Sequence, residues 1–187
     1  MDLPVYLFTG FLSGGKTHMI QESMEDQRFN SGEKTLIIMC EEGIEELELD
    51  RFWGKNCYFE LIDDPEDLTR DMLTLIYKKH KIDRVIIEYN GMWNIEKLYR
   101  ELLPANWILY QIMTLVDANT FEMYAKNMGQ LMMEKITAAD LLVFNRCTPE
   151  LRDALRKRNL RMVNRRAGIC LENVDGTNED YLTGDEC

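Results

Sequence analysis

Eight residues near the start of the chain, Gly10-Phe11-Leu12-Ser13-Gly14-Gly15-Lys16-Thr17, constrain the fold more than any other feature. They fit the spacing G-x-x-x-x-G-K-[ST], and they sit between an apolar run at 4–9 that reads as a buried strand and a segment at 17–27 that reads as a helix. That context gives the spacing its meaning. Glycines let a loop curl so that successive backbone N–H groups face inward on an anion. The helix start adds its partial positive charge. The sequence therefore predicts a phosphate cradle formed by Gly10, Ser13, Gly14 and Gly15. Lys16 reaches the β- and γ-phosphates of a nucleoside triphosphate, and the Thr17 hydroxyl coordinates Mg²⁺.

The rest of the chain alternates apolar runs with helix-like segments. Strands are expected at 35–40, 57–62, 84–88, 107–116, 141–144 and 160–163. Helices are expected at 65–79, 95–103, 118–136 with a break at Gly129, and 149–158; Pro65 suits a first helical turn. Continuous apolar strands alternating with helices predict an α/β fold, a three-layer α/β/α sandwich on a mostly parallel sheet. Residues 1–172 read as one nucleotide-binding domain. Residues 173–187 read as a polar, fraying tail, and the abrupt end suggests a domain cut from a longer chain.

The net charge of −11 disfavours nucleic acid and anionic membranes as partners, since both call for a basic surface. Asp2 stands where a secretory leader would be basic, so a cytoplasmic location is expected. Five scattered cysteines, with no C-x-x-C pair, argue for reduced thiols rather than a disulfide framework or a closed zinc site. The acidic stretch at 41–50 and the basic stretch at 152–166 read as solvated surface.

A second half of the site is visible downstream. Val85-Ile86-Ile87-Glu88 is an apolar strand ending in an acid, at the strand end where open parallel sheets bind ligands. Glu88 is expected to hold a water of the magnesium shell. The backbone of Gly91 approaches the γ-phosphate. Cys40-Glu41-Glu42-Gly43, after the second strand, is the natural switch loop, in which Glu41 either supports magnesium or orients the attacking water.

These elements together resemble the CobW/HypB/UreG family of P-loop GTPases, and within it the CobW-like branch. Thr9–Thr17 resembles that branch's T-G-F-L-x-x-G-K-T. Glu41 and Gly43 match N-E-x-G, and Ile87–Gly91 matches I-E-x-x-G. Residues 116–121 (V-D-A-N-T-F) resemble V-D-A-x-x-F. Ala139-Asp140 through Asn145-Arg146 resembles A-D-x-x-x-x-N-K, and Asn164 resembles an asparagine that packs near the base. The resemblance implies GTP/GDP with Mg²⁺, slow hydrolysis, a guanine base held by Asn145 and Arg146, metal handling or cofactor assembly with a metalloprotein partner, and homodimers. Two departures stand out. The branch's C-x-C-C metal motif is replaced by residues 59–65, which carry no cysteine, so a substitute would have to come from Cys40, Cys57, Asp63 and Asp64. The guanine-selecting N-K-x-D is replaced by Asn145-Arg146-Cys147-Thr148. Arg146 can stack as a flat guanidinium, but Thr148 offers no carboxylate to guanine, which weakens selection between bases.

Three functions compete on these residues. The first is a slow GTPase, with Lys16, Thr17 and Glu88 as its catalytic set and Thr17, Glu41 and Glu88 around the metal. The second is a nucleotide-gated binding module without hydrolysis. The third, ranked last, is an ATP-dependent small-molecule kinase, whose arginine-bearing lid has no counterpart here. His18 and His80 are isolated, the methionines of 123–133 and the three tryptophans read as packing groups, and no hydrolase triad is spelled.

Overall fold

The computed structural model describes residues 2–41 and 46–187; Gly43 of the expected switch loop lies outside them. Eight strands form one sheet: β1 (Leu3–Thr9), β2 (Thr35–Met39), β3 (Cys57–Leu61), β4 (Arg84–Glu88), β5 (Trp107–Asp117), β6 (Leu141–Cys147), β7 (Gly168–Asn173) and β8 (Asn178–Asp180). Their spatial order is β3-β2-β4-β1-β5-β6-β7-β8. Every pairing is parallel except β7 with β8. The helices are α1 (Lys16–Glu25), α2 (Arg70–His80), α3 (Ile95–Lys97), α4 (Phe121–Asn127), α5 (Gly129–Ala138) and α6 (Pro149–Lys157), and α3 runs into a π-helical turn at Leu98–Leu102.

The strands alternate between two buried faces, which explains their unbroken apolar character. Ile37, Ile86, Phe8 and Leu115 pack with Ile20 and Met24 of α1. Leu36, Ile38, Val85, Ile87 and Leu7 face the other way, onto Leu73 and Ile76 of α2 and Ile95 of α3. Leu142 and Phe144 join Met132 and Ile136 of α5 and Leu155 of α6. The expected three-layer α/β/α sandwich is therefore the observed architecture. With β1 central and both neighbours parallel to it, the loop after β1 opens at the carboxyl edge of the sheet, beside the ends of β4, β5 and β6.

Several local expectations are corrected. The strand expected at 160–163 is a 3₁₀ turn, Leu160–Met162, entered through Asn159 in the left-handed region (φ 50°). Leu160 of that stretch is buried and Val163 packs against the same core, and the last parallel strand comes later, where Ile169 and Leu171 alternate inward. The helix expected from Pro65 starts at Arg70, because the Thr69 hydroxyl accepts from the Met72 N–H and caps it. The helix expected at 118–136 does break, into α4 and α5 at Met128 and Gly129.

Residues 173–187, read as a polar tail, instead fold back as a hairpin. Gly176 turns the chain with φ 84°, and β8 adds to β7. Tyr181 is 3% exposed, and its hydroxyl lies 3.0 Å from the Leu155 carbonyl. Glu179 pairs with Arg152 and Arg156, so part of the basic stretch is an internal partner rather than free surface. Cys170 and Cys187 form a disulfide, against the expectation of reduced thiols; Cys40, Cys57 and Cys147 are free.

Candidate functional site: a phosphate cradle at the end of the central strand

The loop between β1 and α1 is held open by its neighbours. Ser13 takes φ 59° and Gly15 φ 90°, left-handed positions of the kind that let a loop curl around an anion. A side chain at Gly15 would meet Asn145 Nδ2 at 2.5 Å, and one at Gly91 would meet the Gly10 carbonyl at 2.3 Å. The bare backbone at these two positions lets the ends of β4 and β6 close against the loop. Asn145 Nδ2 donates to the Gly14 carbonyl at 2.8 Å, and Arg146 donates to the Ser13 carbonyl at 3.0 Å.

Lys16 is 3% exposed and folds back over the loop, donating to the carbonyls of Gly10 and Phe11, each at 3.1 Å. Its third direction is taken by Glu41, which forms a nearly buried ion pair with it. The Glu41 carboxylate thus presents oxygens to Lys16 as a phosphate would.

Thr17 and Glu88, 71 residues apart in sequence, meet at the foot of the loop. The Thr17 hydroxyl lies 3.0 Å from both carboxylate oxygens of Glu88, which is 2% exposed. Hydroxyl and carboxylate oxygens together are a hard donor set that suits Mg²⁺. The alternative metal set is not supported: among the described residues no three His, Cys, Asp or Glu side chains converge. Burial, with Glu88 nearby, pushes the Cys40 thiol up to about 12, far from the thiolate a soft metal needs.

The residues expected to form the base loop fall in two places. Asn145 and Arg146 end β6 beside the phosphate loop, and Asn145 Oδ1 is buried with no partner among the described residues. Arg146 bonds Asp117 Oδ2 at 2.7 Å. Burial works against ionisation of Asp117, but the Asn119 and Arg146 donors outweigh it and hold the carboxyl below its usual range. Thr148 is occupied as the N-cap of α6, accepting from Leu151 N–H. Asn164 does not approach this group. Its Nδ2 donates to the carbonyls of Ile136, Thr137 and Ala139, and its Oδ1 accepts from Arg166 and Ala167, so the amide is spent on tying its own turn to the end of α5. Sequence reasoning also passed over Lys135, whose side chain is buried near the loop. Its spacing from Met132 and Ile136 put a charge on an apolar helix face, which was the available signal.

A strand-borne glycine-rich loop, a lysine over it and a hydroxyl–carboxylate pair beneath define a P-loop nucleotide-binding domain. The family model for CobW/HypB/UreG, nucleotide-binding domain, matches residues 4–170, and the chain belongs to that family. The curated Zinc-regulated GTPase metalloprotein activator 1 of Schizosaccharomyces pombe is 22% identical over 77% of this chain. The match takes in 39% of that relative, so the chain spans about two fifths of its length. Among solved structures, the Zn(II)-bound YjiA GTPase of E. coli superposes with a TM-score of 0.62 at 26% identity, over 90% of this chain and 57% of that one. The hydrogenase maturation factor HypB of Archaeoglobus fulgidus shares the fold, with a TM-score of 0.59 at 18% identity over 93% and 82%. Among the described residues no helix is long and apolar enough to cross a membrane.

Proposed function

We propose that the chain binds GTP with magnesium in the cytoplasm and hydrolyses it slowly, in the service of metal handling or cofactor assembly on a metalloprotein partner. The observation that carries this reading is the convergence of Lys16, Thr17 and Glu88 at the glycine-rich loop. The backbone amides of Gly10 to Thr17 grip the phosphates, and Lys16 gives up Glu41 to bind the β- and γ-oxygens. The Thr17 hydroxyl would hold the magnesium and Glu88 a water of its shell, with Glu41 available to the same site, and the ion would supply positive charge to the phosphates. Gly91 offers its N–H to the terminal phosphate. Asn145 and Arg146 hold the base. Guanine is favoured over adenine only weakly, because Thr148 caps a helix where a carboxylate would read guanine's donors. The branch's C-x-C-C metal motif is missing at residues 59–65, so we assign any transition-metal cargo to the partner.

Single-turnover hydrolysis tests the reading. Magnesium-dependent phosphate release is expected from wild type, and Glu88→Gln should slow it on the order of a hundredfold. The Glu41–Lys16 pair also favours a second reading, a nucleotide-gated binding module in which occupancy releases Glu41 and its loop. Tight GTP binding with no phosphate release over hours would select that reading over the enzyme.

A further inference from the structure

Lys135 is the feature of the molecule that packing does not explain. It lies on α5, its side chain is wholly buried, and its ammonium has no hydrogen-bond partner among the described residues. An unpaired buried cation costs several kcal/mol, and a methionine would fill the same space without that cost. One compensation is the face of Phe11, a phosphate-loop residue, 5.6 Å from Nζ to the ring centre. Such a contact returns only part of the penalty. The Phe11 ring stacks on Tyr124 of α4 at 4.1 Å, and its carbonyl accepts from Lys16. Phe11 therefore bridges the two lysines. The charges of Lys16 and Glu41 both act on Lys135, with Glu134 on its own helix opposing its neutralisation; burial is the largest influence and lowers its proton affinity.

The backbone of Lys135 is fixed as well. Its carbonyl accepts from the buried Thr114 hydroxyl on β5, at 3.1 Å. That strand carries Leu115, whose carbonyl underlies Gly10 and Gly14. The ammonium is thus held close to the loop by packing on both sides.

We propose that Lys135 is a second cation of the phosphate site, its ammonium without a hydrogen-bond partner among the described residues so that its field stabilises the terminal phosphate of a bound nucleoside triphosphate. The proposal rests on the triphosphate-binding reading above and gives a source of positive charge to a site whose sequence names no arginine for that role. Lys135 is a positioning residue here, acting through its field on the phosphate and on Lys16.

The test compares GTP and GDP binding, each with magnesium, in wild type, Lys135→Met and Lys135→Arg. Wild type should prefer GTP. Lys135→Met should weaken GTP binding more than GDP binding and reduce the GTP-to-GDP preference about tenfold, because the triphosphate brings one more negative charge into the field of the ammonium. The free Lys135→Met protein should melt higher than wild type, which a merely structural lysine would not produce, and Lys135→Arg should keep the GTP preference. A wild-type GTP preference retained in Lys135→Met overturns the role of Lys135 and leaves the triphosphate site standing. Should wild type bind neither nucleotide, the parent reading falls and this inference with it. If Lys135→Arg does not fold, a full-strength GTP preference in Lys135→Met is still decisive.

Discussion

Replacing Glu41 by glutamine separates two roles that one side chain can play. In the free protein Glu41 pairs with Lys16, which keeps the Gly10 and Phe11 carbonyls as further acceptors. Removing the charge leaves Lys16 hydrogen-bonded but without its counter-ion. A charge-assisted bond is worth about 1.5–3 kcal/mol and a neutral one about half that, so Glu41→Gln should cost the free protein about 0.8–1.5 kcal/mol. For a domain of this size that is a melting decrease of about 2–6 °C. Phosphate must displace Glu41 to reach Lys16, so the same energy returns as affinity. GDP should bind about 4- to 13-fold more tightly to Glu41→Gln when magnesium is removed with EDTA. Calorimetric titration at low salt, with thermal unfolding of the free proteins alongside, reads both sides of this cycle. With magnesium and GTP the gain should shrink, because Glu41 then also serves the metal. A variant that melts lower but binds metal-free GDP no more tightly than wild type would refute the idea that Glu41 occupies the phosphate's place.

Three further expectations follow from the same geometry. Thr148→Asp should keep the α6 cap, since aspartate caps as well as threonine, and raise the GTP-to-ATP affinity ratio at least about tenfold by competition binding. Gly91→Ala drives a Cβ to 2.3 Å from the Gly10 carbonyl, and should cost about 1–3 kcal/mol in urea unfolding and weaken nucleotide binding about tenfold or more. For Lys135, burial lowers the folded-state proton affinity below that of the unfolded chain, whose lysines titrate near about 10.4. The penalty is full below the folded value and is relieved as pH rises through it toward the unfolded one. The stability advantage of Lys135→Met should therefore be greatest near neutrality and shrink toward pH of about 10.4, measured by chemical unfolding across that range.

The phosphate loop and the alternating strands were legible because their physics is local. A turn that must face amides inward needs glycine at fixed places, and a strand buried on both faces needs an unbroken apolar run. The pairing of Thr17 with Glu88 was legible for a related reason, since the first turn of α1 follows β1 at the same sheet edge where β4 ends in Glu88. What the sequence concealed depended on partners distant in the chain. Residues 173–187 look polar, yet Glu179 is neutralised by Arg152 and Arg156, and Tyr181 finds a core only when α6 is already in place. The Cys170–Cys187 bond likewise joins residues whose proximity is created by the hairpin. Asn164 misled because an asparagine near a base and one tying down a turn look alike in sequence; five backbone partners distinguish them. The Glu41–Lys16 contact was unreadable because it joins a loop after β2 to a helix start on another edge of the site.

The most direct test is a titration of a non-hydrolysable GTP analogue with magnesium into the wild-type chain and Lys16→Ala. One analogue per wild-type chain, with affinity at least about a hundredfold weaker in Lys16→Ala, is the predicted result. Equal affinity in the two proteins, or no uptake by wild type at millimolar analogue, would contradict it.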